Sequence, residues 1–426
     1  DVAPSRGLGD VYKRQIFKLT NCSDNVIIIT GVVKMNKKIV IDKNTGQRRC
    51  KCFKRCGGCQ LDMPYEKQLE WKQNKAERML SKFCIVQPII AMEHPYNYRN
   101  KVQTVFRYNQ HKQIISGVYQ SGSGSMTAVD DCMLEDKHCT AVIQTIKALM
   151  KPFKISPYNN ASGNGNIRHV LARYAKGTDE LMVCIVTNGP ILPSKNNFTK
   201  ALLEKHPEIT TIVQNICTDP MPLTLGDRQN ILYGKGYITD IINGLKFRIS
   251  PSSFYQVNYE QTRKLYSTAV EFAELSKNDI VIDAYCGTGT IGLLCASRAM
   301  QVIGAELNKY SCLDAEANAK LNNISNAEFY SCDAGKFMQK LAQDKRSVSV
   351  VMMDPPRAGS NIKFLKSLAE LAPERIVYIS CKIETLERDL KILKSLGYKS
   401  EKIQPVDMFP HTTGIECAVK LVRYNK

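Results

Sequence analysis

Five short apolar runs, separated by helix-length stretches, organise the sequence after Pro251: "DIVIDAYCG", "AMQVIGAE", "NAEFYSCDA", "SVSVVMMDPP" and "RIVYISC". Strands that alternate with helices pair in parallel and are covered on both faces, so this part of the chain is constrained to a doubly wound α/β sheet. Ligands of such sheets lie over the carboxyl ends of the strands. The residues that end each run are therefore the ones to read for chemistry, and the last run ends on Cys381.

The rest of the chain has a different texture. Residues 50–59, "CKCFKRCGGC", are dense in cysteine, and "YEKQLEWKQNKAERML" (65–80) spaces Leu69, Ala76 and Leu80 as an amphipathic helix. From about Tyr98 to Ile249, β-rich runs such as "KVQTVFRY", "QIISGVYQ" and "ELMVCIVTNG" are punctuated by Gly, Asn and Ser, which predicts antiparallel strands joined by turns. "QSGSGS" (120–125) reads as a flexible loop. The opening "DVAPSRGLGDVYKRQ" has neither helical nor strand periodicity and is set aside as an assembly scar. Three segments result: a leader and truncated N-terminal piece (1–49), a cysteine-bearing and β-rich region (50–250), and the α/β region (251–426).

Charge narrows the partners. Lys+Arg number 59 against 40 Asp+Glu, a net charge of +19. Such an excess either solvates a surface or meets a polyanion, of which nucleic acid is the commonest. "YNYRNKVQTVFRYNQHK" (96–112) and "IRHVLARYAK" (167–176) interleave aromatic and basic residues, as RNA-binding strands do. No run approaches the ~18 apolar residues of a membrane span. Without an export signal the expectation is a cytoplasmic protein whose 16 cysteines stay reduced, not paired as structural disulfides.

Four consecutive strands of the α/β region end in acids. The first gives Asp283-Ala-Tyr-Cys-Gly287-Thr-Gly289-Thr290-Ile-Gly292, whose glycines allow a tight turn against a ligand. The next three end in Glu306, Asp333 and Asp354, the last within "DPPR". One such acid is explained by capping the following helix; four in succession point to a nucleotide-type ligand. The glycine pattern alone is shared with dehydrogenases.

Together with "ISC…TLERDL" and "DMFPHT…GIE", these motifs make the chain resemble, from roughly Cys50 onward, the RumA/TrmA family of RNA uracil-5-methyltransferases. The resemblance implies S-adenosylmethionine (SAM) as methyl donor, contacted by Gln256, Tyr285, Thr290, Glu306, Asp333 and Asp354, with Gly287 and Gly289 shaping its loop. It implies Cys381 as nucleophile and Glu416 as general base. "SEKIQPVDMF" and "GIECAVKLVRY" read as a β-hairpin returning to the sheet beside the fifth strand, where a part-buried Glu416 would have a raised pKa. Cys286, Cys295, Cys312, Cys332 and Cys417 are read as packing residues.

The resemblance further implies a [4Fe–4S] cluster on Cys50, Cys56, Cys59 and Cys132, with Cys52 an extra thiol; a zinc site is the rival. It implies a monomer acting on 23S ribosomal RNA in preference to tRNA, with the middle region part of the RNA-binding surface. An N-terminal OB-like module common in the family would be absent or truncated. Two positions depart from the family pattern: Lys382-Ile383 replace an Asn-Pro after the nucleophile, and Gly414 replaces a His before the base. A dehydrogenase and a non-catalytic iron–sulfur RNA-binding protein are the readings from other classes.

Overall fold

The computed structural model describes residues 50–424 apart from 121–124, 220 and 222. The leader, the N-terminal piece on which the absent or truncated OB-like module was expected, and most of the 120–125 loop lie outside the described residues. Helix α1 (Phe53–Cys56) is a single turn closed by Gly57 at φ 70. Helix α2 (Tyr65–Leu80) buries Tyr65, Gln68, Lys72, Ala76 and Leu80 along one stripe. Leu69, expected on that stripe, lies beside it and is only half-buried. Lys72 takes its place in the interior because Asp407 meets it there at 2.5 Å, with both side chains fully buried.

The middle region contains β1 (Lys101–Tyr108), β2 (Ile114–Tyr119), β3 (Met126–Ala128), α3 (Lys137–Met150), β4 (Ile167–Ala175), β5 (Glu180–Thr187), α4 (Lys195–Lys205), β6 (Ile209–Ile216) and β7 (Arg228–Tyr233). Its seven strands are ordered β3-β2-β1-β4-β5-β6-β7. The antiparallel expectation is corrected at one place: β5 and β6 run parallel, because α4 carries the chain back across the sheet between them. Helices α3 and α4 cover one face through Val142, Ile146, Phe198 and Leu202. The region is thus a mixed sheet with two helices, not strands alone. The start of α3 is fixed by Asp136, whose carboxylate accepts the N–H groups of His138 and Cys139.

A hairpin of β8 (Ile238–Ile242) and β9 (Leu245–Ile249) turns on Asn243 and Gly244, both at positive φ. The α/β region follows as α5 (Tyr259–Ala273), β10 (Ile280–Ala284), α6 (Thr290–Ala296), β11 (Gln301–Glu306), α7 (Lys309–Leu321), β12 (Ala327–Ser331), α8 (Ala334–Gln343), β13 (Val350–Met353), α9 (Ile362–Leu371), β14 (Arg375–Ser380), α10 (Ile383–Ser395), β15 (Tyr398–Val406) and β16 (Glu416–Arg423). Strand order is β12-β11-β10-β13-β14-β16-β15. The five strands expected from sequence are parallel. β16 enters antiparallel between β14 and β15. The order reverses between β10 and β13, and the crevice there is where a ligand of this fold sits. Among the described residues no helix is long and apolar enough to cross a membrane.

Candidate active site at the strand tips

Register brings the two candidate catalytic residues face to face. In the β14–β16 ladder Ser380 pairs with Cys417, so the next position of each strand sets Cys381 opposite Glu416. Cys381 is half-buried, whereas Glu416 is only 2% exposed. One carboxylate oxygen of Glu416, Oε2, is buried without a hydrogen-bond partner. Burial, reinforced by the nearby Asp354, pushes the Glu416 carboxyl up to about 8, and Arg357 opposes the shift. Burial likewise raises Asp354 to about 7. The Cys381 thiol is pushed up to about 11 by burial and by Glu416 and Asp354, again opposed by Arg357. A carboxyl tuned near neutrality suits proton transfer, and Arg357 is a cation acting on both groups.

Beside this pair a cleft opens at the ends of β10 and β13. It is lined by Phe254, Gln256, Tyr285, Gly287, Thr290 and Asp354, with Tyr266 at its floor. Four of the expected donor contacts, Gln256, Tyr285, Thr290 and Asp354, thus come together with Gly287 of the loop. Gly289 stands in the same loop at φ 77, and a Cβ there would lie 2.9 Å from the Phe329 ring, so no other residue fits. Tyr285, also at positive φ (65), ends β10 in a conformation costly for a residue with a Cβ, as functional turns often do. Its ring packs on Phe364.

Two expected contacts do not line the cleft. Glu306 uses both oxygens on backbone, accepting the N–H of Gly287 at 3.0 Å and of Asn308 at 2.7 Å. It braces the glycine loop while each oxygen keeps a lone pair for a ligand. Asp333 is exposed and caps α8 through the Lys336 N–H. Asp283 was read only as a strand end, yet it anchors α6 through the Gly292 N–H at 2.7 Å. Its other oxygen, Oδ1, is buried without a partner, and burial lifts the group to about 7. The unfilled acceptor and the glycine cradle fit a nucleoside donor.

Sequence reasoning missed Tyr266, a buried α5 residue whose hydroxyl meets Gln256. It gave Arg357 no role although "DPPR" displayed it. Cys286, Cys295, Cys312 and Cys417 are buried, as packing requires, whereas Cys332 is only half-buried. The Cys286 thiol is held well above its usual pKa by burial and by Asp283 and Glu306, and it is buried where Cys381 is only half-buried.

Cys50, Cys56, Cys59 and Cys132 are all half-buried. Backbone N–H groups of Cys52 and Gly58 point at the sulfurs of Cys50 and Cys56, each at 3.4 Å. Leu134 and Glu135 do the same for Cys132, which burial raises to about 12. Cys59, also pushed to about 12, feels Cys50 and Cys56, and Cys132 in turn feels Cys59. Cys52 turns away toward the Ala128 carbonyl. Among the described residues no three Cys, His, Asp or Glu side chains are close enough to share one metal ion. The N–H···S bonds are of the kind that ligating sulfurs accept. The segment is tied to the chain preceding Glu416, since Gln60 and Leu61 donate to the His411 carbonyl.

The aromatic and basic stretch divides between two environments. Phe106 and Tyr98 are core residues, Tyr98 donating to the Pro410 carbonyl, while Tyr108 is exposed. Arg107 lies over the Tyr119 ring.

Residues 223–424 match the family described as tRNA (Uracil-5-)-methyltransferase. An uncharacterized RNA methyltransferase of Bacillus cereus (strain ATCC 10987) is 38% identical over 88% of this chain and 83% of its own length. One of Halalkalibacterium halodurans is 40% identical over 87% and 82%. The crystal structure of Pyrococcus abyssi tRNA (uracil-54, C5)-methyltransferase with S-adenosyl-L-homocysteine superposes with a TM-score of 0.69, at 29% identity over 84% of each chain. With these likenesses and the strand-tip arrangement in hand, the chain is a member of the RumA/TrmA-type family of SAM-dependent RNA uracil-5-methyltransferases.

Proposed function

We propose that the protein methylates carbon 5 of a uracil in 23S ribosomal RNA by covalent catalysis, with Cys381 as nucleophile and Glu416 as base. The observation that carries this reading is the β14–β16 register, which faces a thiol with a buried carboxyl that has an unfilled oxygen. Carbon 5 of uracil is too weak a nucleophile to take a methyl group unaided. The Cys381 thiolate adds to carbon 6, its electron pair passing through the ring to the carbon-4 oxygen. Bound SAM supplies a sulfonium methyl, which carbon 5 takes while the carbon–sulfur bond of the donor breaks. Glu416 then removes the carbon-5 proton, and the ring electrons expel Cys381 as thiolate. Arg357 offsets the carboxylates around the sulfur. Gln256, Tyr285, Gly287, Gly289, Thr290, Glu306, Asp333 and Asp354 would bind and orient the donor, some directly and others by holding its loop.

The uracil must leave any stack to expose its ring face, at a cost of a few kcal/mol. Phe254, 66% exposed at the mouth of the cleft, offers a surface for a displaced base. Cys50, Cys56, Cys59 and Cys132 would hold a [4Fe–4S] cluster whose part is structural, since methyl transfer moves no electron. Protein purified without oxygen should be brown, with absorbance lost in Cys56→Ser; colourless protein with stoichiometric zinc would decide for the rival. A tRNA uracil is the second reading, favoured by the substrate of the Pyrococcus abyssi neighbour. Incubation with labelled SAM and separate unmodified 23S rRNA and tRNA, followed by mapping of 5-methyluridine, separates the two. Label in neither RNA refutes both.

A further inference from the structure

Basic side chains with unfilled donors lie buried in the middle sheet. Lys101 pairs with Arg173, and Val105 with His169, across β1 and β4. Alternation along the strands therefore sends Lys101, His169 and Arg173 to one face. Arg173 and His169 are each 1% exposed, and Lys101 is half-buried. Arg173 gives one nitrogen to the Ser253 carbonyl at 3.2 Å, while its Nε and Nη1, and Nε2 of His169, are buried without partners. The ammonium group of Lys101 makes no hydrogen bond or ion pair among the described residues.

The groups also feel one another. Burial, then Arg173, lowers Lys101 to about 8. Burial, with Arg168 and Lys101, lowers His169 to about 4. Arg168 itself is engaged by the Cys217 carbonyl and the Tyr158 ring. Asp314 is an opposite charge felt by Arg173, but it is taken by the hydroxyls of Ser250 and Ser253 and by Arg248. Unfilled donors on buried basic groups are costly unless an acceptor arrives. The carbonyl that Arg173 holds belongs to the residue before Phe254, which lines the donor cleft.

We propose that Lys101, His169 and Arg173 form a site for a backbone phosphate of single-stranded RNA, next to the nucleotide being methylated. The site rests on the reading above that the protein acts on RNA. Phosphate oxygens would fill the empty donors of Arg173 and His169, with Lys101 at the entrance. Holding the Ser253 carbonyl, Arg173 then links phosphate capture to the loop that carries Phe254 and Gln256.

The test measures binding of single-stranded oligouridine by the full chain across a salt series, beside SAM binding and thermal melting. Lys101→Ala should weaken oligouridine binding about tenfold at low salt and reduce the slope of log affinity against log salt by about 0.7. Adding His169→Gln should reduce affinity further. Lys101→Arg should restore the slope, and SAM affinity should not change. An unchanged slope in folded Lys101→Ala, or an equal loss at every salt concentration, would mean that the cations only brace the seam and would overturn the site. Failure of the functional reading looks different: wild type would bind oligouridine with the full slope yet form no 5-methyluridine in any RNA.

Discussion

The two seven-stranded sheets handle charge in opposite ways. The C-terminal sheet collects carboxylates at one edge, Asp283, Glu306, Asp354 and Glu416, because the parallel strands all finish on that side and the antiparallel β16 begins there. The middle sheet, mostly antiparallel, has no common end and instead collects basic side chains on a face, Lys101, His169 and Arg173. The difference teaches where each kind of site can be seen. An edge site recurs at the end of every apolar run, whereas a face site depends on which residues pair across strands.

The contrast breaks most severely at the edge. Cys381→Ala should lower 5-methyluridine formation more than about a thousandfold. It should also abolish trapping by 5-fluorouridine RNA while leaving SAM affinity intact; normal turnover would remove the nucleophile assignment. Glu416→Gln should slow turnover by about 10²–10⁴ and let the protein–RNA adduct accumulate on denaturing gels. With its carboxyl raised to about 8, wild-type turnover should climb with pH up to that value as the base form fills. The Gln variant should lack that limb.

Away from the edge, Asp407→Asn leaves Lys72 buried without its counter-charge and should cost about 3–5 kcal/mol in denaturant melts. It should loosen the Cys50–Gln60 segment and the chain before Glu416 together, because Tyr65 also donates to Asp407 at 2.8 Å. The smallest effect concerns stability against pH. Glu416, raised to about 8, and Asp283 and Asp354, raised to about 7, bind protons more tightly folded than unfolded. Their contribution is full below the unfolded carboxyl pKa and fades as pH rises through 7 to 8. Glu416→Gln should therefore melt higher than wild type at pH 9 and close to it at pH 4; the same gap at both would contradict the burial argument.

The sequence was readable where chemistry follows an apolar run at a fixed offset. Cys381, Asp354 and the glycine loop are of that kind. Glu306 braces a loop and Asp333 caps a helix, uses that strand-end acids serve as readily as ligand contacts, and composition does not tell which. Arg357 and Tyr266 escaped because one is a surface cation and the other lies among the apolar positions of α5, where only the folded distance to Gln256 reveals it. Leu69 and Lys72 exchanged places because the stripe of α2 is set by Asp407, more than three hundred positions away. Helices α3 and α4 were obscured by the β-rich runs around them, and with them the parallel β5–β6 pair.

One detail of strand order bears on how the molecule is made. β16 lies between β14 and β15 yet is synthesised after both. While the nascent chain waits for it, two neighbouring strands expose bare edges that invite pairing with other chains. Glu416 is the first residue of that wedge, so the act that seals the sheet against aggregation is also the act that installs the base, and a ribosome paused before it holds an open and inert enzyme.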